Sequence, residues 1–205
     1  VHYFSSETNY AGVVAELDSD GGYILSGEVA RENGGSDALI IKTDARGHKV
    51  WEKVIPNAII NAIKPSQNGY ILVGDSIQLN TGSVEVELSE LINTYARLLL
   101  MDTQGNVIAE HLSSRKARIG DDTLTIDYHG SAFDVAAVGR IIMLGSYRIP
   151  GGHESTFVSA FDPSNISDSL WYQSYQSLDH DLFNCNVLHI TSSSNLVWAS
   201  RTHTQ

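Results

Sequence analysis

Short segments rich in apolar residues recur along the whole chain. In some of them apolar and polar residues alternate, and in others nearly every residue is apolar. Tyr10–Leu17 is the first, and further runs follow at 23–29, 37–43 and 49–54. Short runs of this kind, rich in β-branched side chains and bounded by Asp, Ser and Gly, are typical of β-strands joined by tight turns. No stretch offers a long apolar face at helical spacing. The pattern therefore predicts an all-β protein.

The first block of strands comes back further along the chain. It reads D-G-G-Y-I-L-S-G at 20–27, D-A-L-I-I-K-T-D-A-R-G at 37–47 and K-V-W at 49–51. The second copy reads N-G-Y-I-L-V-G at 68–74 and A-R-L-L-L-M-D-T-Q-G at 96–105. The core of each repeat has roughly 45 residues and holds four short strands, which is typical of one blade of a β-propeller.

Two weaker copies follow. The third has G-R-I-I-M-L-G at 139–145 and F-V-S-A-F-D at 157–162, and the fourth has F-N-C-N-V-L-H-I-T at 183–191 and L-V-W-A-S at 196–200. Repeated sets of four short strands predict a β-propeller built of four-stranded antiparallel blades. We expect about three complete blades, with partial blades at each end.

Because the repeat runs through the whole chain, we expect residues 1–205 to form a single propeller domain or a segment of one. A segment of a larger propeller is favoured over a four-bladed ring, because the last copy stops after two strands. Since the pattern is already under way at Val1, we also expect a leader or an upstream segment before it. The predicted blades are 10–55, 58–112, 132–176 and a partial one at 182–205, with 1–6 as the outer strand of a neighbouring blade.

The connections differ in length between copies. Residues 76–94 form a long insertion in the second copy that carries Glu85 and Glu87, and we expect an extra hairpin or a short helix there. A second enlarged connection is expected at 113–128, and a third at 147–155. Long loops on a rigid scaffold are where function tends to lie.

The blocks at 20–27, 37–47 and 49–53 resemble the propeller repeats of exported bacterial proteins, especially surface lipoproteins of the Bacteroidetes. The resemblance is strong over 20–54, fair over 60–112 and weaker over 133–200, where Arg140 replaces the tyrosine of the first two copies. It implies an exported protein at the cell surface or in the periplasm, lipid-anchored through a segment outside this chain. It also implies a noncatalytic binding or scaffold role.

The amino-acid composition excludes some classes of binding partner. A net charge of −11 and a pI near 5.0 argue against nucleic acid and against an anionic membrane surface, because both need basic clusters. No apolar run approaches the roughly 18 residues of a membrane-spanning helix. A single cysteine, Cys185, excludes a disulfide scaffold and suits a buried structural thiol. No cofactor or metal is predicted.

Several residues of types that often bind metals or ligands are better explained by structural roles. Asp44, Asp102 and Asp162 recur at the same hairpin of each copy, which favours turn capping over metal binding or catalysis. Trp51 and Trp171 occupy equivalent outer strands, which favours packing between blades over ligand stacking. No catalytic residue is assigned.

The candidate contact residues lie in or beside the long connections, on what we expect to be one rim of the propeller. Their carboxylates and imidazoles suit a cation or a sugar, and their phenol rings suit contact with a glycan. They are Glu85, Glu87, Tyr95, Tyr128, Tyr147, His153, Glu154 and His180.

Three functions remain open at the level of sequence. The first is a noncatalytic scaffold that contacts another surface protein, with the acidic insertion at 83–92 as its natural contact. The second is a glycan-binding accessory lipoprotein of a nutrient-uptake system, which needs exposed aromatic rings such as Tyr95, Tyr128 and Tyr147. The third is a polysaccharide-active enzyme, which needs two carboxylates about 5 to 10 Å apart on one face.

Overall fold

The chain folds into antiparallel β-sheets, as the sequence predicts. The structure is a computed structural model, and it describes residues 10–31, 35–79, 92–113, 115–119, 122–148, 154–175, 181–191 and 195–203. These residues form fifteen strands in four sheets, and no helix occurs among them. Within the same ranges, no helix is long and apolar enough to cross a membrane.

The first two sheets have four strands each, and every strand pairs with its neighbours in the chain. The first sheet runs from Tyr10 to Ile55 and the second from Ala58 to Ser113, close to the bounds predicted for the first two repeats. Their strands are β1 (Tyr10–Leu17), β2 (Tyr23–Ala30), β3 (Ser36–Thr43), β4 (Lys49–Ile55), β5 (Ala58–Ser66), β6 (Gly69–Leu79), β7 (Ile92–Met101) and β8 (Val107–Ser113).

The third sheet has five strands and the fourth has two. The expected connection at 113–128 was wrong, because β9 pairs with the first part of the long strand β10 there. Polar and apolar residues alternate in β10 at 123–128, as T-L-T-I-D-Y, which is the pattern of a strand. This part of β10 was not predicted because it has no counterpart in the other repeats. The strands are β9 (Arg115–Ile119), β10 (Asp122–Val135), β11 (Ile141–Arg148), β12 (Glu154–Phe161), β13 (Trp171–Tyr175), β14 (Asp181–Ile190) and β15 (Leu196–His203).

The core lies between consecutive sheets, which pack face to face. Each apolar run is therefore split between two neighbours, because successive side chains point to opposite faces of a strand. Tyr70 and Leu72 of β6 pack against the first sheet, whereas Ile71 and Val73 pack against the third. We call the face toward the preceding sheet the N-side face, and the face toward the following sheet the C-side face. The second sheet is buried on both faces, which explains why its strands are almost continuously apolar.

A glycine in the middle of the second strand of each repeat faces a bulge in the first strand. Gly74 pairs with Ile60, and Gly145 pairs with Gly130, just where the register of β5 and of β10 shifts. A Cβ atom on Gly74 would lie 1.9 Å from the carbonyl oxygen of Ile59. The recurring glycine of the repeat is therefore needed for this close approach of two backbones.

Buried polar contacts join the sheets. At the first junction the Lys42 ammonium lies 2.7 Å from Asp20 and 3.3 Å from Asp18, and the Tyr70 hydroxyl donates to Asp18 at 2.7 Å. Burial raises the pKa of Asp18, but the hydrogen bonds from Tyr70 and the Ser19 backbone outweigh it and hold that pKa below its ordinary value. The carboxylate therefore stays ionised and bridges two sheets.

Candidate functional site

The recurring aspartates cap turns, as predicted. Asp44 Oδ1 accepts the backbone N–H groups of Arg46 and His48 at 2.8 and 2.9 Å. Asp102 accepts the equivalent pair at 2.9 and 2.8 Å, and Asp162 accepts one such bond at 2.9 Å. The N–H of His48 lowers the pKa of Asp44 most. These carboxylates accept hydrogen bonds from their own hairpins, so we assign them a structural role and not a role in binding.

Four of the predicted contact residues, Glu85, Glu87, His153 and His180, lie outside the residues that the structure describes. The same holds for the side chains of Cys185 and Trp198. Their roles stay predictions. The other four predicted residues are Tyr95, Tyr128, Tyr147 and Glu154, and the structure places them in two different environments.

Tyr128 and Tyr147 are core residues. They pair across β10 and β11, and their rings stack with centroids 5.2 Å apart. Phe157 meets Tyr128 edge-on at 5.4 Å and stacks on Tyr172 at 5.7 Å, so four aromatic rings are in contact in the second junction. Tyr128 and Tyr147 are only 1% and 6% exposed, so they do not form the expected exposed aromatic surface. The expectation of exposure was wrong because both rings lie on the face of the third sheet that packs against the second sheet.

Tyr95 and Glu154 lie at the end of the sheets where two long connections leave. The backbone N–H of Thr94 donates to Asp127 at 2.9 Å, and Asp127 pairs with Arg148, which itself pairs with Glu154. The start of β7 in the second sheet is thereby held beside the ends of β11 and β12 in the third. We call Thr94, Tyr95, Asp127, Arg148 and Glu154 the loop end.

A histidine–aspartate pair borders the loop end. The Nδ1 atom of His129 lies 3.5 Å from Asp75 Oδ2, while Asp75 Oδ1 accepts the N–H of Gly130 at 2.9 Å. Asp75 raises the pKa of His129 most, and the charges of Glu154 and Asp127 raise it further. The protonated imidazole is thus favoured among carboxylates of two sheets.

Sequence reasoning missed this pair, although a signal for Asp75 exists. An acidic residue follows the motif glycine in the first two copies, as G-E at 27–28 and G-D at 74–75. In the first sheet Glu28 accepts from the Ser36 hydroxyl, which is a contact within its own sheet. Only in the second sheet does the carboxylate reach a neighbouring sheet.

A cavity of about 300 Å³ opens between β8 of the second sheet and the face of the third. The Nδ1–H of His111 donates to the backbone oxygen of Ser167 at 3.0 Å, and the His111 ring packs on Phe161 at 4.8 Å. Hydroxyl groups dominate the walls, and the described lining holds no Lys or Arg. The lining residues are His111, Leu112, Ser113, Tyr128, Ser159, Ser167, Asp168, Ser169 and Tyr172.

The described residues of the loop end and of the cavity do not form a metal site. Within the described ranges, no three His, Cys, Asp or Glu side chains are grouped closely enough to hold an ion. Both regions offer hydrogen bonds. Charged groups make them at the loop end, whereas hydroxyl groups and the Asp168 carboxylate make them in the cavity.

Comparison with known proteins adds no relative, since no protein-family model and no curated protein matches the chain. The resemblance to surface propeller repeats, which rests on the repeat blocks, stays a prediction.

Proposed function

We propose that this chain forms a noncatalytic β-propeller scaffold, exported to the cell surface or periplasm, which binds another protein through its loop end. The propeller is supported by the order of the sheets, because each of them packs on the next one along the chain. Contacts between β1 and β5, β5 and β10, and β10 and β14 bring the first strands of successive repeats together. First strands that meet around an axis are the geometry of a propeller.

The observation that carries the binding role is the loop end. Asp127 links the start of β7 to the ends of β11 and β12, so the connections at 80–91 and 149–153 leave neighbouring sheets side by side. Asp75, Asp127 and Glu154 lie around them beside the cations Arg148 and His129, so the excess of acid comes from Glu85 and Glu87 of the 80–91 connection and from the net charge of −11 of the chain. Loops on a rigid scaffold with one dominant charge suit a partner with a basic surface.

Site-specific photo-crosslinking tests this proposal. A photoreactive residue at Tyr95 or at Glu154 is expected to capture one envelope protein of the native cell. The same residue at Val138, which is 76% exposed in a hairpin at the opposite end, serves as the matched control. Deleting residues 84–91 is expected to remove the crosslink from Tyr95. Equal capture from Val138, or capture that survives the deletion, would refute the loop end as the contact.

The cavity favours a second candidate function, glycan binding. Serine and tyrosine hydroxyls both donate and accept, as sugar hydroxyls require, and the Tyr172 ring offers an apolar wall. A lining without Lys or Arg favours a neutral ligand over a phosphate or a carboxylate. The volume of about 300 Å³ suits a single sugar residue.

Saturation-transfer NMR with neutral monosaccharides tests the second candidate. Tyr172→Phe keeps the ring that stacks on Phe157 but removes the hydroxyl, so saturation of the sugar protons should fall. Tyr175→Phe is the control, since Tyr175 lies on the same strand and points to the opposite face. Equal signals from both variants, or no transfer to the unmodified protein, would exclude the cavity as a sugar site.

A further inference from the structure

The first junction, between the first and second sheets, and the second junction, between the second and third, are built from equivalent positions. Ile55 on β4 pairs with Ala38, and Ser113 on β8 pairs with Ala96, the matching alanine of the next copy. Ile55 packs in the first junction. Ser113 lies on the same face of its strand as Ala109, which packs in the second junction. Ser113 therefore stands in the second junction where Ile55 stands in the first.

The sheet on the other side of each junction shows a second replacement of the same kind. Leu99 of β7 pairs with Leu72, and Ser159 of β12 pairs with Met143, each partner lying two positions before the motif glycine of its copy. Leu99 packs in the first junction. Ser159 lies on the same face of its strand as Phe157, which packs in the second junction. Ser159 is therefore the equivalent of Leu99.

Two large apolar side chains of the first junction are thus serines in the second. Ile55 and Leu99 are 4% and 0% exposed and belong to one apolar cluster. Ser113 and Ser159 both line the cavity of about 300 Å³. Protein interiors are close-packed, so a side chain that loses most of its volume leaves space unless its neighbours move in. The cavity therefore opens at the place where the first junction is filled.

A hydrogen bond holds the sheets together at the same position in both junctions. In the first, Lys53 Nζ donates to the side-chain oxygen of Asn106 at 3.3 Å, from the outer strand to a hairpin of the next sheet. In the second, His111 occupies the position of Lys53 and donates to the backbone oxygen of Ser167 at 3.0 Å. The second junction thus keeps its polar contact and changes its apolar packing. Such a local departure from the pattern of a repeat is expected at a functional site.

We propose that Ser113 and Ser159 are the specificity-determining residues of the cavity, and that a bound pyranose ring takes the place of the missing apolar pair. This inference rests on the glycan-binding candidate function. The two hydroxyls come from different sheets, and each can donate to or accept from a sugar hydroxyl. A ring that bonds to both joins the second sheet to the third. Because such a ligand binds only the folded junction, it also stabilises the protein.

Reversing the two replacements tests the proposal. The double variant Ser113→Ile, Ser159→Leu restores the apolar pair of the first junction. It is expected to melt at a higher temperature than the unmodified chain and to lose saturation transfer to D-glucose, D-galactose and D-mannose. Ser113→Ala with Ser159→Ala keeps the space but removes both hydroxyls, so transfer should weaken without a rise in melting temperature. Gln104→Ile adds an apolar residue at an exposed position that does not line the cavity, and it should change neither quantity.

Saturation transfer that persists in the folded Ile–Leu variant would overturn the proposal and leave the candidate function standing, because the sugar would then bind without the two serines. A variant that folds but melts below the unmodified chain would overturn it as well, since the space would not accept the two side chains. If the double variant does not fold, Ser113→Ile alone replaces it in the same design. No transfer to the unmodified chain would refute glycan binding itself, and the melting temperatures would still show whether the serines open the cavity.

Discussion

Trp51 of the first sheet meets Tyr70 of the second sheet edge to face, with ring centroids 5.9 Å apart and planes at 66°. The indole N–H also donates to the backbone oxygen of Thr103 at 3.2 Å. The prediction that this tryptophan packs between repeats is confirmed. Its equivalent Trp171, at the same place in the third repeat, is 39% exposed.

The two tryptophans should therefore differ in their contribution to stability. Trp51→Ala removes a half-buried ring from the first junction and is expected to lower the free energy of unfolding by about 2–3 kcal/mol, somewhat below the cost for a fully buried ring. Trp171→Ala is the matched control and is expected to cost less than about 1 kcal/mol. Urea unfolding monitored by circular dichroism measures both. Equal losses would contradict the difference in packing.

Gly74 should not tolerate a side chain. A Cβ there would lie 1.9 Å from the Ile59 oxygen and 2.8 Å from Ile60 Cα, so β5 and β6 would have to separate. Gly74→Ala is expected to destabilise the protein by about 2–3 kcal/mol. Gly139→Ala meets no atom within 4 Å and strains only its positive φ of 81°, at about 1 kcal/mol. Thermal melts that rank the two variants the other way would refute this role of the motif glycine.

Lys42 should matter more than an exposed lysine in a similar ion pair. Its side chain is 6% exposed between Asp18 and Asp20, and Lys42→Met leaves the buried Asp18 carboxylate without its cation. Because Asp20 is largely exposed, we expect a loss of about 2 kcal/mol, below the usual range for a fully buried pair. Lys49→Met breaks the exposed pair with Glu52 and is expected to cost about 0–0.5 kcal/mol. Chemical denaturation that gives equal losses would contradict the role of burial.

His129 should titrate above its ordinary value of 6.5, because Asp75 and the nearby carboxylates favour the imidazolium. A raised folded-state pKa contributes stability that is complete below the pKa of the unfolded chain and is lost as the pH rises through the folded pKa. The free energy of unfolding should therefore fall as the pH rises from about 6.5 into the mildly alkaline range.

Proton NMR of the His129 ring measures that pKa directly. Asp75→Asn is expected to move it down toward 6.5 and to flatten the pH dependence of stability. Asp44→Asn changes a carboxylate in a hairpin at the opposite end, beside His48, and should leave the His129 titration unchanged. A His129 pKa at or below 6.5 in the unmodified protein would rule out the pairing.

The repeat made much of the fold predictable. Tyr10–Leu17 is a strand with the expected bounds, and β4 differs from its prediction by one residue. Asp44 and Asp102 cap their hairpins as expected, because an Asp at the first turn position accepts N–H bonds from its own turn. Each of these features depends on a few neighbouring residues, which is why sequence alone determined them.

Long-range pairing was decided only by the tertiary structure. Tyr128 was expected beside a connection, and the structure places it inside β10. Whether the face of that strand meets solvent or a second sheet depends on where the other sheet lies. The same holds for His129, which gains its partner Asp75 from a strand more than fifty positions earlier. The sequence by itself determined the strands and turns of the repeat, but not β9 and the first part of β10, which lie outside it. Face-to-face packing of consecutive sheets decided which residues became core, cavity wall, loop end or exposed face, because burial is set by the neighbouring sheet and not by the strand itself.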